Sequence, residues 1–281
     1  MRPKQWIKNG FVLIPIIFDK KLFIFSEFLK SVYAVSLFCI LAGGIYILND
    51  IFDIEKDRIH PKKRFRPIAA GLIPLPIAWI ISISFIVISL LWAYIIKLKF
   101  FYVILVYVIV QFLYNISLKD KVILDVFCIS LGFFLRVISG ALIIDAKISH
   151  WLIICTILLS MFLALSKRRQ EIITMGKTIS DQHRSVLKKY NIELLDQMIS
   201  VITGSVLLSY MLYCVSDKTI KNFNTDKLIY TFPFVLYGIF RYLYLIYKRN
   251  LGDQPEKALF MDPPIIINVL LWVIACVIII Y

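Results

Sequence analysis

The chain has 281 residues, 60% of them hydrophobic, a mean hydropathy of +0.83 and a net charge of +14. Soluble domains carry about 45–50% apolar residues, so this composition excludes an ordinary soluble domain and describes an integral membrane protein. The basic excess calls for no nucleic-acid partner once its placement along the chain is considered.

Apolar stretches near the ~20 residues that span a bilayer recur at about 8–18, 28–48, 74–96, 100–116, 122–144, 150–166, 195–216, 228–247 and 264–281. The expectation is an all-α, polytopic membrane protein, a single domain over residues 1–281, with about nine transmembrane helices and a polar cavity facing the cytoplasm. With a cytoplasmic N-terminus, the inside loops hold 21 of the 32 Lys and Arg, the outside loops 9 and the spans 2. That asymmetry satisfies the positive-inside rule.

In chain order, MRPKQWIKNG puts Arg2, Lys4, Trp6 and Lys8 at a membrane boundary, the pattern of an interfacial anchor. Asp19-Lys20-Lys21 stands where a signal peptide would have a small-residue cleavage site, so the segment is read as retained.

The next apolar run leads into ILNDIFDIEKDRIHPKKRFRPI, residues 47–68. After Asn49, the carboxylates Asp50, Asp53 and Asp57 fall within roughly 60° of one another on a helix, with Glu55 about 140° away. Like charges on one helical face repel by a few tenths of a kcal/mol per pair. A divalent cation reverses that sign, and Mg²⁺ is held by one or two carboxylates plus water and phosphate oxygens. His60-Pro61 is expected to end the helix. Lys62, Lys63, Arg64 and Arg66 follow, so bases suited to phosphate lie beside acids suited to a metal.

YNISLKDKVILD, residues 114–125, gathers Tyr114, Asn115, Lys119, Lys121 and Asp125 at the cytoplasmic edge of two spans. Asp125, Gly132, Arg136 and Ser139 share one helical face to within about 40°, with Arg136 about 16 Å along the helix from Asp125. An arginine at that depth costs roughly 2.5–3.5 kcal/mol on insertion scales and marks either a polar cavity or a structural pair. SKRRQE then places Lys167, Arg168, Arg169 and Glu171 where a span meets the cytoplasm. The alternation through Lys188-Lys189-Tyr190 suggests a short amphipathic helix lying on the membrane. Gly252, Pro255, Pro263 and Pro264 make the last inside loop irregular. Cys39, Cys128, Cys155, Cys214 and Cys276 lie in spans without metal-ligand spacing, as small apolar side chains do.

Asn49-Asp50-Ile51-Phe52-Asp53 with Asp57 resembles the NDxxDxxxD signature of the UbiA superfamily of intramembrane prenyltransferases. RPKQWIKN, HPKKRFRPIAAG, SLKDKVILDV, FFLRVISGA, LALSKRRQE, HRSVLKKY, LLDQM and FRYLYL are similar to one branch, the decaprenyl-phosphate phosphoribosyltransferases. Ordinary members of the superfamily carry a second motif, DxxxD, after the sixth span, where this chain has Lys167-Arg168-Arg169 and Glu171. The resemblance implies transfer of 5-phosphoribosyl from phosphoribosyl pyrophosphate to a polyprenyl phosphate, at the inner membrane of a bacterium, with Mg²⁺ as cofactor and Mn²⁺ as a second candidate. A homo-oligomer is compatible with it.

On that reading Asn49, Asp50, Asp53 and Asp57 are catalytic, the three aspartates holding the metal. Lys8, Lys62, Arg64, Arg66, Tyr114, Lys119 and Lys121 are substrate-binding candidates, as are Asp125, Arg136, Lys167, Arg168, Arg169 and Glu171. The acceptor phosphate is already anionic, which makes His60 a helix-end residue rather than a base. Two other functions remain open: a prenyltransferase acting on a small aromatic acceptor, and an anion or lipid transporter using Arg136 and Arg241. Radiolabelled ribose or prenyl separates the first from phosphoribosyl transfer. Recognisable inverted repeats, not evident here, would favour the second.

Overall fold

A computed structural model describes residues 3–59, 63–183, 185–249 and 262–281. Pro3–Leu13 winds as a 3-10 helix into α1 (Ile14–Phe18), followed by α2 (Phe25–Phe52), α3 (Ile54–Ile59), α4 (Leu75–Ile96), α5 (Leu98–Ile116) and α6 (Leu124–Ile143). The chain continues through α7 (His150–His183), α8 (Ile192–Val215), α9 (Asp217–Phe223), α10 (Phe232–Arg249) and α11 (Pro263–Ile280). Among the described residues there is no strand, as expected for an all-α chain.

Among the described residues, eight helices are long and apolar enough to cross a membrane, with Gln5–Phe18 as a shorter apolar one. This ninth segment is short in residues but not in reach. A 3-10 helix rises about 2.0 Å per residue, so Pro3–Phe18 extends roughly 30 Å, close to the thickness of a bilayer core. It packs tightly on α6: a Cβ added to Gly140 would stand 2.0 Å from the Val12 carbonyl oxygen, so only glycine permits this approach.

The burial pattern separates inner from outer helices. The apolar windows of α2 and α6 are 56% and 61% buried, against 17% for α4 and 22% for α5 and α11, whose side chains face outward as lipid contact requires. The two inner helices are those that carry the aspartates and Arg136. Phe38, Leu41, Phe100 and Ile104 fill one core between α2, α5 and α6, with Val12 and Ile16. Phe162, Leu165, Leu195, Ile199, Leu245 and Ile246 fill a second between α7, α8 and α10. No water is available in a bilayer core, so buried hydroxyls bond locally or across helices. Ser166 donates to Phe162 O, Ser82 to Gly44 O at 2.8 Å, and Ser130 to Ile157 O at 3.0 Å.

At the end of the bundle remote from the aspartates, two lysines cap α6. Lys97 Nζ donates to Leu142 O at 3.0 Å and Asp145 Oδ1 at 2.5 Å, and Lys21 Nζ donates to Ile144 O at 2.9 Å. Cations there satisfy the orphaned carbonyls and the negative end of the helix dipole. The side-chain bond from Lys97 holds the Asp145 carboxyl below its ordinary value.

Two sequence expectations need correcting. The aspartates do not share one uninterrupted helix: α2 ends at Phe52, Asp53 caps it with φ −97° and ψ 9°, and α3 begins at Ile54. The i to i+4 hydrogen bonding carries on through Asp53 N to Asn49 O and Asp57 N to Asp53 O, so the chain bends without unwinding. Nor, among the described residues, is there a separate amphipathic helix between 166 and 190, because α7 continues to His183 and a 3-10 turn covers Ser185–Lys189. At 34 residues α7 is about 51 Å long, well beyond the ~30 Å of a bilayer core. His60, Pro61 and Lys62 and the loop from 250 to 261 lie outside the described residues; α3 ends at Ile59, just before that proline.

Candidate functional site

α2 is 28 residues long, about 42 Å, more than the ~30 Å of a bilayer core, and its last turn, Asn49 to Phe52, carries Asp50. α3 then turns Asp57 back toward the bundle, where it is only 3% exposed. The 3-10 turn Lys63–Phe65 brings Arg66 over both acids. Arg66 Nη1 donates to Asp50 Oδ1 at 3.0 Å and to Asp57 Oδ2 at 2.5 Å, so two carboxylates from different helices converge on one cationic nitrogen. Burial is the largest influence on Asp57 and pushes its carboxyl above the ordinary value, with Arg66 opposing.

Asp53 is served separately. The 3-10 turn Leu118–Asp120 after α5 presents Lys119, 7% exposed, whose Nζ donates to Asp53 Oδ1 at 2.6 Å. Each acid of the row is thus paired with a base from elsewhere in the chain.

A second network adjoins the first through α5. Asp125, with no exposed surface, begins α6 and accepts from Arg168 Nε at 2.6 Å through one oxygen and from Tyr190 Oη at 2.9 Å through the other. Arg168 also donates to Glu171 at 2.6 Å and to Tyr114 Oη at 3.3 Å. Tyr190 Oη accepts the Ile123 N–H at 2.7 Å. Ile123 has φ 69° and ψ −46°, and Leu124 N donates to Val122 O, a tight three-residue turn. That conformation is rare and strained for a β-branched residue, and Tyr190 clasps it. Burial pushes the Tyr190 hydroxyl up to about 12, so it stays a donor to Asp125 throughout the neutral range. Arg169 pairs with Asp196 at 2.5 Å and lies over the Tyr247 ring at 4.0 Å.

Of the residues expected from sequence, Asp50, Asp53, Asp57, Arg66, Tyr114, Lys119, Asp125, Arg168, Arg169 and Glu171 therefore sit in these adjoining networks at one end of the bundle. Asn49 and Lys167 are half-buried nearby in sequence, Lys121 is exposed, and Arg64 is exposed over the Phe65 ring. Lys62 falls outside the described residues. Arg136 is elsewhere, deep between helices: Nε to Asn9 Oδ1 at 3.1 Å, Nη1 to Gly132 O at 3.0 Å and Nη2 to Tyr107 Oη at 2.6 Å, with the Phe38, Tyr107 and Phe133 rings around it. Lys8 is half-buried on the 3-10 helix that brings Asn9 there. Arg241 grips Asp262 at 2.9 Å, and Asp262 caps α11. Sequence reasoning missed Tyr190, Asp196, Tyr247, Asn9 and Tyr107; the tyrosines and Asp196 sit in or beside apolar runs with no periodic signal of their own.

The donor set fits a hard divalent cation in an open site. Among the described residues no three acidic, His or Cys side chains form an all-protein cage, and two carboxylates converging on one point leave the remaining coordination to water or phosphate oxygens, the arrangement Mg²⁺ favours.

Membrane-length helices enclosing two charged inner helices, with acids and bases interleaved at one end, define a polytopic membrane protein with a dense polar site there. It belongs to the UbiA prenyltransferase family, whose model matches residues 24–262. The chain is 30% identical to the decaprenyl-phosphate phosphoribosyltransferase of Mycolicibacterium smegmatis over 97% of this chain and 88% of that one. It is also 30% identical to the enzyme of that name from Corynebacterium glutamicum, over 100% of this chain and 85% of that one. The fold is similar to that of a UbiA homologue from Archaeoglobus fulgidus solved with GPP and Mg²⁺, with a TM-score of 0.74, 19% identity and coverage of 99% and 97% of the two chains.

Proposed function

We propose that this protein transfers the 5-phosphoribosyl group from phosphoribosyl pyrophosphate to a polyprenyl phosphate, releasing pyrophosphate, in a bacterial cell membrane with the aspartate end facing the cytoplasm. The observation that carries this is the pairing of Asp50 and Asp57 with Arg66, and of Asp53 with Lys119. Acids for a metal and bases for phosphates stand within hydrogen-bond reach of each other. Relatives of the same named activity, similar along nearly the whole chain, support the choice of substrates.

In the reaction an acceptor phosphate oxygen bonds to the anomeric carbon of ribose as the bond from that carbon to pyrophosphate breaks. The electron pair leaves with the pyrophosphate. A Mg²⁺ ion, or Mn²⁺ in its place, would be held by Asp50 and Asp57 with Asp53 alongside, and would stabilise the charge developing on the leaving group. Arg66 and Lys119 bind the diphosphate oxygens, Arg66 with the fork geometry suited to two of them at once. The nucleophile is already anionic at neutral pH, so no residue need remove a proton. Arg168, buried and engaged with Asp125, Glu171 and Tyr114, holds the ends of α5, α6 and α7 in register and leaves phosphate contact to Lys119, Lys121 and Lys167.

The test is incubation of purified protein in detergent with ribose-labelled phosphoribosyl pyrophosphate and a polyprenyl phosphate, with and without Mg²⁺. Metal-dependent entry of ribose label into the lipid phase is the expected result. Prenyl label moving to a small aromatic acceptor instead would overturn it.

A further inference from the structure

Arg66 stands in two relations that pull in opposite directions. Its Nη1 lies between Asp50 Oδ1 and Asp57 Oδ2, at 3.0 and 2.5 Å, the point on which those two oxygens converge. A divalent cation drawn to the same two oxygens must displace it. A guanidinium does not lose its charge near neutral pH, so Arg66 can leave that point only as a cation. Its side chain is only 24% exposed, and leaving the acids without a new anion would strand a partly buried charge at a cost.

Resting on the reading of this site as one for a metal and a diphosphate, we propose that Arg66 is a tethered counter-cation. It yields its place between Asp50 and Asp57 to a divalent ion when a diphosphate is present to receive it. Lys119 on Asp53 repeats the arrangement one turn along α2, with the ammonium 8% exposed and 2.6 Å from its acid. The site exchanges cations rather than adding one. Metal and diphosphate consequently bind with positive coupling, each improving the affinity for the other by the same factor, as linkage demands. The site thereby takes up metal together with diphosphate in preference to bare metal.

The exchange predicts effects of opposite sign from one substitution. Removing the tethered cation should strengthen binding of metal alone while weakening the benefit conferred by the anion. The probes are Mn²⁺, counted by electron paramagnetic resonance, and inorganic pyrophosphate, with a protein-free blank at matched free-ion concentrations. In the wild type, pyrophosphate should tighten Mn²⁺ binding by about tenfold or more, within the usual span of coupling factors. Arg66→Gln should bind Mn²⁺ alone about three- to tenfold more tightly than wild type, with coupling reduced below about threefold. Arg66→Lys, which restores the charge, should return Mn²⁺ affinity toward wild type.

Arg58→Gln controls for simple loss of positive charge, since Arg58 is exposed on α3 and donates to Ala69 O rather than to either acid. It should match wild type within about twofold. The proposal is overturned if Arg66→Gln binds Mn²⁺ no more tightly than wild type, if Arg58→Gln changes the affinity equally, if coupling survives in Arg66→Gln, or if no variant binds Mn²⁺. No ribose donor or lipid enters these measurements, so their outcome is separable from that of the ribose-transfer assay.

Discussion

Asp125 and Arg168 meet at 2.6 Å with side-chain exposures of 0% and 1%, from helices whose contacting residues are 43 positions apart. Removing one partner of such a buried pair leaves a stranded charge and costs about 3–5 kcal/mol, whereas removing both costs far less. Arg168→Gln and Asp125→Asn are each expected to lower thermal stability in detergent markedly, and the double variant to recover most of the loss. Additive single effects would show that the two are not energetically coupled.

Asp50→Asn and Asp53→Asn should behave differently from those variants. Asp50 and Asp53 are partly exposed and sit in the last turn and cap of α2, and an asparagine oxygen at either position can still accept from Arg66 or Lys119, so neutralising either leaves the core packing untouched. The expected outcome is a fall in kcat of at least about a hundredfold, the scale of losing transition-state charge stabilisation, with the melting temperature within a few degrees of wild type. EDTA should abolish ribose transfer by wild type. Full activity of Asp53→Asn in ribose transfer would remove Asp53 from the site.

The spans were legible from sequence because they depend on local composition: the expected 74–96 and 122–144 became Leu75–Ile96 and Leu124–Ile143. The acid row was legible because three aspartates within eight residues are visible without a fold. Their partners were not. Arg66 reaches Asp50 from 16 residues away, Lys119 reaches Asp53 from 66, and Tyr190 reaches Asp125 from 65. Such pairs arise only when helix ends are brought together, and nothing in a local window records them. The continuation of α7 past the membrane layer escaped for a related reason: a polar helix extending a span keeps no apolar boundary to mark its end.

Gly140→Ala should undo the docking of the N-terminal segment. The new Cβ meets backbone, the Val12 carbonyl, rather than a flexible side chain, so the segment must move, at a cost of about 1–3 kcal/mol. Because Asn9 lies on that segment and accepts from Arg136, protection of Arg136 from dicarbonyl modification should fall together with the melting temperature. Unchanged protection and stability would show that the segment docks without this contact.

The Lys97–Asp145 pair gives a pH dependence of known sign. The Asp145 carboxyl is held below its unfolded value by Lys97, so the pair's contribution is fully present above the ordinary carboxylate range and is lost as the pH falls through the depressed value. The melting-temperature gap between wild type and Lys97→Gln should be constant near neutrality and shrink in acid. Some gap should persist there, since Lys97 also donates to Leu142 O. A gap that widened in acid would contradict the pairing.

The 3-10 winding of Pro3–Leu13 has a consequence for what changes the N-terminal segment can absorb. Three residues per turn stack every third side chain on one edge, and Asn9 and Val12 are buried one such turn apart. Replacing an intervening residue leaves the edge intact. Inserting or deleting one between Asn9 and Val12 turns Asn9 about 120° relative to the Val12 anchor and swings it away from Arg136. The stretch therefore tolerates a changed residue between the two buried positions better than a changed number of residues.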